Sequence, residues 1–457
     1  MDLKDISAQQ TAYYKTRVTR PISFRKEQLR LLKQAIQKHE SEITDALHRD
    51  FKKPAWEGWV SEIGVVYAEI DHTLSHLKKW AKPERVRTPL ALLPSSSRVY
   101  KEPVGRSFII APWNYPFQLV MAPLIASLAA GNTALIKPSE LTPATSAIIK
   151  KVLASVFSQE YVAVVQGSGE EVVPRVMEEY VPQHVFFTGS PTVGKIIAKQ
   201  AAERLIPCVL ELGGKSPVII DGSVNMRVTV RRVLFAKFVN AGQTCIAPDY
   251  AIVHKSAVDS FLKIFKEELQ RSYGDNPLES DDFAAIIHER AFDRQLKLME
   301  GANIEWGGKS DRTSLRIEPT LVTKTSMSSA LMQEEIFGPI LPILTYDKEE
   351  EVYDIVQENP DPLALYVFTS NRRFAKRIIR DIPFGGGCVN NALLHIANTH
   401  LPFGGIRNSG LGSYHSSKGF EAFSHSKSML LSSTWFDPKF KYAPYSNWSL
   451  KIIKKLL

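Results

Sequence analysis

The sequence predicts an α/β protein built on two parallel-sheet units, and three observations carry that expectation. From Gly105 to Phe157 strand-like apolar runs alternate with helix-like ones, the pattern of a βαβ unit that binds ligands at the carboxyl ends of its strands. The alternation resumes beyond Glu211 as a second unit. At 457 residues the chain exceeds a usual single domain, so two or three compact units are expected.

The start, MDLKDISAQQ, lacks the charged-then-apolar form of a secretory signal, and no run reaches the roughly 20 apolar residues of a spanning helix. Ser23 and Ser41 stand where they can cap helices over FRKEQLRLLKQAIQKH and EITDALHRDF, and another helix covers about Glu57 to Trp80. Pro83 to Pro103 reads as two short extended pieces around a Pro-Ser-rich turn, a projecting hairpin. In the first unit VGRSFIIAPW is a strand, LVMAPLIASLAAG a helix ended by Gly131, and NTALIKP a strand. Thr142 caps the next helix, with Pro143 at its first position. Strand Val185 to Thr188 then passes through Gly189 and Ser190 into a helix containing Gly194, so backbone amides and the helix dipole converge where a pyrophosphate can sit. The dinucleotide fingerprint GxGxxG is absent there. In the second unit SPVIID is a strand, MRVTVRRVLFAKFVNAG a helix and YAIVHK a strand.

Composition narrows the function classes. The net charge of +9 invites a polyanion, but the basic residues are interleaved with acidic ones as on solvated helix faces, which speaks against nucleic acid and is compatible with an anionic dinucleotide. Only Lys439 to Leu457 gathers lysines around Trp448, Leu450, Ile452, Ile453, Leu456 and Leu457, a basic amphipathic tail suited to a membrane surface. Cys208, Cys245 and Cys388 form no CxxC pair, so neither a disulfide framework nor a zinc site is indicated, and a reducing, cytoplasmic compartment fits. His395, His400, His415 and His425 lack metal-ligand spacing and read as surface or packing residues; no metal is expected.

The chemistry centres on Asn240 to Tyr250, NAGQTCIAPDY, which places Cys245 among small and turn-forming residues after an apolar helical run. A thiolate suits attack on a carbonyl because its adduct is later displaced by water, although an unpaired cysteine is as readily an inert core residue. Two distant stretches favour the nucleophile. In VLELGGKSP, Glu211 ends an apolar run before two glycines; in IIAPWNYPF, Asn114 follows a strand-like run and offers an amide to an oxyanion. Thiol, carboxylate and amide are what a thioester mechanism needs.

NAGQTCIAPDY, LELGGKSP, PWNYPF, KPSE (Lys137 to Glu140), FTGS (Phe187 to Ser190) and EEIFGP (Glu334 to Pro339) together resemble the aldehyde dehydrogenase superfamily, from about Arg20 to about Ser428 and in the family's order. The form GQTCxAPDY, with PWNYPF and the short N-terminus, is most similar to the class 3 branch, which includes fatty and aromatic aldehyde dehydrogenases. The resemblance implies a variant Rossmann cofactor domain (1–85 and 103–211), a catalytic domain (212–410), and a β bridging and oligomerisation element with tail (86–102 and 411–457) that builds a homodimer.

It also implies NAD(P)-dependent oxidation of an aldehyde to an acid, with Cys245 as nucleophile, Asn114 in the oxyanion site and Glu211 as hydrolytic base. The cofactor, NAD or NADP, would meet Trp113, Lys137, Glu140, Gly189, Ser190, Gly194 and Leu212, with Glu335 on the nicotinamide ribose and Phe337 near the ring. Glu140 favours NAD by repelling a 2′-phosphate, whereas Lys137 beside it tolerates one. Tyr67, Tyr115 and Phe403 would line a tunnel for medium or long aliphatic and aromatic aldehydes. Arg407 departs from the small residue expected in its loop. Two rivals are a CoA-acylating dehydrogenase, against which Glu211 argues, and a non-catalytic structural protein on the same fold, against which the full residue set argues. A cysteine hydrolase lacks a histidine placed as base.

Overall fold

A computed structural model describes residues 2–456. Its first sheet has six strands in the order Gly410–Leu411, Cys208–Glu211, His184–Thr188, Arg106–Ile110, Thr133–Lys137 and Val162–Val164, all parallel but the short first one. The strands read as unbroken apolar runs because helices cover both faces. Phe108 and Ile110 pack with Val176 and Leu210 on one face, while Ile109 packs with Val120 and Phe186 on the other. Helix Gln118–Ala130 is buried along its whole length, which is why it is apolar on every side.

The second sheet has seven strands, Asn303–Trp306, Thr320–Thr323, Ile340–Tyr346, Tyr250–His254, Pro217–Ile220, Ala364–Phe368 and Gly386–Val389, parallel except at its first edge. The expected hairpin forms a third, antiparallel sheet, in which Ser96–Pro103 pairs on one side with Glu84–Val86 and on the other with Ser424–Leu431. The chain reaches Ser424–Leu431 from the first sheet: Gly410 and Leu411 pair with Glu211 and Leu210, and Phe420 and Phe423 are buried, the latter stacked on Phe186.

Helix starts differ from the sequence expectation in instructive ways. Helices Ile22–Lys38 and Glu40–Phe51 begin before Ser23 and Ser41, which therefore sit inside first turns. Thr142 precedes helix Pro143–Ala154 but its side chain makes no capping bond. Asp50 caps that helix from the neighbouring one, accepting from the Ala144 and Thr145 amides (3.0 and 2.8 Å) and the Thr145 hydroxyl (2.6 Å). A carboxylate satisfies several orphan donors at once, which a threonine cannot. An N-terminal helix, Leu3–Lys15, capped by Asp2, buries Gln10 against the Ala134 carbonyl of the strand next to the sheet's last one.

The helical run expected from Glu57 to Trp80 is interrupted by a π-helical turn, Trp59–Ile63, between Ala55–Gly58 and Gly64–Trp80. The basic tail includes helix Asn447–Leu456, with Trp448 and Leu450 exposed; Leu457 lies outside the described residues. No described helix is long and apolar enough to cross a membrane.

Candidate active site

Cys245 follows helix Met226–Phe238 in a tightly constrained turn. Asn240 and Ala241 are left-handed (φ 56° and 52°) and Gly242 continues at φ 74°. A Cβ on Gly242 would stand 2.3 Å from the Gly338 carbonyl oxygen, so only glycine lets the cysteine turn meet the loop that carries Glu335 and Phe337. The turn is held by its own amides. Asn240 N–H donates to Glu57 (2.9 Å), and Asn240 Nδ2 donates to the Asn114 and Gln243 carbonyls (3.0 and 3.1 Å). Asn114 Nδ2 donates to the same Gln243 carbonyl at 3.1 Å, so the oxyanion candidate and the cysteine turn form one bonded unit.

Beneath Asn114 lies a pair that sequence patterning does not announce. Lys53 Nζ, fully buried, donates to Glu62 (2.6 Å) and to the Asn114 carbonyl (3.2 Å), and the other Glu62 oxygen accepts from the Phe117 and Gln118 amides. A dry ion pair is costly to form and costly to break, so its use here fixes position rather than adding much stability.

Glu211 ends strand Cys208–Glu211, opposite Thr188. Both its oxygens are buried without a hydrogen-bond partner among the described residues, and burial raises its pKa well above the ordinary carboxylate value. Burial also pushes the Cys245 thiol up, and Glu335 and Glu211 push it further, while the Cys245 and Ile246 amides oppose by bonding to sulfur. Glu335 rises to about 8 through burial and then Asp249. Burial and mutual repulsion thus work against three anions standing side by side.

Two cavities meet at this point. The larger, about 570 Å³, is a cleft of mixed polar and apolar lining that includes Trp113, Gly189, Ser190, Leu212, Glu335 and Phe337, as well as Asn114 and Cys245. Its walls fit a dinucleotide. Ser190 caps helix Pro191–Ala202, whose first residues Pro191 and Thr192 line the cleft, and a Cβ on Gly213 would collide with the Glu335 carboxylate. Gly194 acts differently from expectation: it does not line the cleft, and a Cβ there would stand 2.5 Å from Leu212, so it lets the helix close on the strand end. Lys137 and Glu140 are also outside that lining; they pair with each other at 2.6 Å, and Glu140 accepts from the Gly169 amide.

The loop bearing Glu335 is clamped by Lys215, whose Nζ pairs with Asp249 and donates to the Leu331 and Glu334 carbonyls (2.7 and 2.9 Å). Asp249 in turn accepts from the Ile336 amide. Both residues belong to motifs read in the sequence, LELGGKSP and NAGQTCIAPDY, yet only their spatial meeting shows the role. Arg407, the departure noted above, is pinned by Asp361, a residue at the same cleft.

The second cavity, about 130 Å³, is an apolar tunnel running from Cys245, Thr188 and Glu211 past Tyr115 and Phe403 to Trp56. Tyr115 is anchored by a 2.6 Å hydroxyl contact with Thr244. Tyr67 is not in the lining: its hydroxyl donates to Glu40 (2.7 Å), and Lys33 stands over its ring. Val60, Ser61 and Val65 line the tunnel instead, and Tyr67 is about 200° round the helix from Val65. No cluster of metal-ligating side chains occurs among the described residues.

Comparison with known proteins agrees with this architecture. The profile of the aldehyde dehydrogenase family matches residues 3–429. A Staphylococcus aureus protein named 4,4'-diaponeurosporen-aldehyde dehydrogenase is 45% identical over 445 residues, covering 97% of this chain and 96% of that protein. Aldehyde dehydrogenase family 3 member H1 of Arabidopsis thaliana is 40% identical, with 96% and 92% covered. The solved substrate-bound state of Staphylococcus aureus AldH superimposes with a TM-score of 0.96 at 43% identity, covering 100% of this chain and 99% of that one. A cysteine turn, a carboxylate-ended strand and a dinucleotide-shaped cleft on such a scaffold leave one conclusion: the chain belongs to the aldehyde dehydrogenase family and is an NAD(P)-dependent oxidoreductase that converts aldehydes to carboxylic acids.

Proposed function

We propose that Cys245 is the nucleophile, that the Asn114 amide and the Cys245 N–H stabilise the oxyanion, and that Glu211 is the base for the hydrolytic water. The observation that carries this reading is the junction itself: Cys245 and Thr188 line both cavities, so a carbonyl arriving through the tunnel meets the thiol at the inner end of the dinucleotide cleft. When bound, NAD(P)+ supplies the hydride acceptor that turns the cysteine adduct into a thioester. Trp113, Gly189, Ser190, Leu212, Glu335 and Phe337 hold it in the cleft; Lys137 and Glu140 bind the adenosine ribose from the strand end. Glu211 keeps its place free of hydrogen bonds, ready for a water. Its carboxyl must lose a proton before it can act, and the water of the second step is its partner.

The substrate class is medium- or long-chain aliphatic or aromatic aldehydes, because the tunnel is narrow and walled by Trp56, Leu119, Phe235 and Phe403. The Staphylococcus relative, named for 4,4'-diaponeurosporen-aldehyde, supports an apolar substrate. A homodimer forms along the free edge of Ser424–Leu431, whose Met429, Leu430 and Leu431 are exposed. Three free cysteines support a reducing, cytoplasmic setting.

The test is formation of reduced nicotinamide by purified protein with octanal and NAD or NADP, without CoA. Equimolar octanoic acid is the expected result. Reduced nicotinamide only on CoA addition would assign the acyl transfer to CoA, and preference for short polar aldehydes would refute the tunnel reading.

A further inference from the structure

A buried base that takes a proton in every turnover needs a way to return it to solvent. Along the tunnel that Glu211 also lines, His415 Nε2 is buried with no hydrogen-bond partner among the described residues, and the buried Tyr414 hydroxyl faces the Gln118 side chain. Tyr414 lies within the electrostatic reach of Glu211 and Cys245 and also of Glu69. Gln118, Ile396 and His415 of the tunnel also line a separate cavity of about 30 Å³, to which Glu69 and Thr399 are added. One water occupies roughly 30 Å³ of liquid and needs two to four polar partners, which Glu69, Thr399, Gln118 and His415 provide.

Glu69 is buried, and its Oε1 accepts from the Ser416 amide at 3.1 Å. Burial lifts it to about 7, so it gives and takes a proton near neutrality. From here hydrogen bonds lead outward. The Ser416 and Thr399 hydroxyls contact the two ring nitrogens of His72 (2.9 and 3.3 Å). The His72 ring stacks on His76 (centroids 4.2 Å apart) and meets exposed His400 edge-on (4.8 Å). Partial burial, His76 and then His400 hold His72 below the usual imidazole value, so it passes a proton on rather than storing it.

We propose that Tyr414, the small cavity and Glu69 form a proton route from Glu211 to the His72, His76 and His400 cluster at the surface. The proposal rests on the reading of Glu211 as the hydrolytic base. In deacylation a bond from the water oxygen to the acyl carbon forms as one water proton goes to Glu211, the bond from that carbon to Cys245 sulfur breaks, the carboxylic acid leaves with the second water proton, and the sulfur keeps the electron pair as the thiolate of the next attack. The Tyr414 hydroxyl accepts the Glu211 proton through water and releases its own to the water of the small cavity. Glu69 receives it, and His72 delivers it to solvent. No electrons move along the route, and the titratable groups facing it are Glu211, Cys245, Glu69, His395 and His415 inside and the three surface imidazoles outside. Tyr414 and Glu69 act through Glu211 and are positioning residues.

The experiment measures acyl-enzyme formation and decay by rapid quench and intact-mass spectrometry, using the full chain with octanal and NAD+. Glu69→Gln keeps an acceptor for the Ser416 amide, and Tyr414→Phe keeps the ring. Both should slow decay by about tenfold or more while changing formation less than about twofold, and added formate should restore most of the Glu69→Gln decay rate. Glu69→Asp should remain close to the unsubstituted protein. Decay at the original rate in both variants, or slow decay that formate does not relieve, would overturn the route. Glu211→Gln run in parallel separates the two ideas. Unchanged decay in Glu211→Gln removes the base assignment itself, whereas slowed decay there with normal decay in Glu69→Gln removes only the route.

Discussion

Cys245→Ala loses aldehyde oxidation by at least about a thousandfold, the scale seen when a covalent nucleophile is removed from a group that acts as a unit. The reason is geometric as much as chemical. Among the described cysteines, only Cys245 lines either cavity at the junction; Cys208 starts a strand on the first sheet and Cys388 lies beside His395. The turn that presents Cys245 is held through Asn240 and Gln243, none of whose bonds uses the thiol, so the alanine variant should fold normally. Nicotinamide reduction followed by absorbance, together with a dinucleotide titration to show an intact cleft, is the measurement. Residual activity within tenfold in such protein would give the nucleophilic role to another group.

Glu211→Gln divides the reaction. Acyl-enzyme forms at a rate close to normal, and its hydrolysis slows by about 10² to 10⁴, the range for loss of a positioned general base. The pH dependence carries a second signature. Burial raises the Glu211 pKa well above the ordinary carboxylate value, and the base form exists only above that raised value. Deacylation therefore rises with pH and is lost as pH falls through it, and the glutamine variant should lose that limb. The sign for stability is opposite. The folded protein holds a proton that the unfolded chain gives up, so the contribution is complete below the unfolded carboxylate pKa and declines as pH rises through the folded one. Normal thioester turnover in Glu211→Gln would move the base role elsewhere, with Glu335, raised to about 8 and lining the same cleft as Cys245, the next carboxyl to examine.

Much of the scaffold was legible in the sequence because parallel strands buried on both faces leave continuous apolar runs, as in HVFFT and TALIK, and Gly131 marks a helix end. The motifs around Cys245, Glu211 and Asn114 stood out in the sequence as well, and the structure brings Cys245 and Glu211 to one tunnel and Cys245 and Asn114 to one cleft. What was not legible is contact between distant segments. Asp50 caps a helix 94 residues further along, and Lys53 and Glu62 bury their charges beneath Asn114; local rules assign a serine or threonine to the first role and solvent to the second. Tyr67 fell off the tunnel because a helix rotates by about 100° per residue, so a placement wrong by two positions faces away. Gly194 shows the same limit: the close approach of Leu212, which requires a glycine there, is a contact between distant segments.

The meeting of two separately opened cavities at one sulfur has a further kinetic meaning. An apolar aldehyde and a charged dinucleotide approach from different sides and share only the residues around Cys245 and Thr188. An inert hydrocarbon lodged in the outer tunnel between Trp56 and Leu394 would exclude the aldehyde yet leave the other entrance open. Its inhibition would be competitive toward one reactant and not toward the other, and release of acid need not wait for release of the reduced nucleotide.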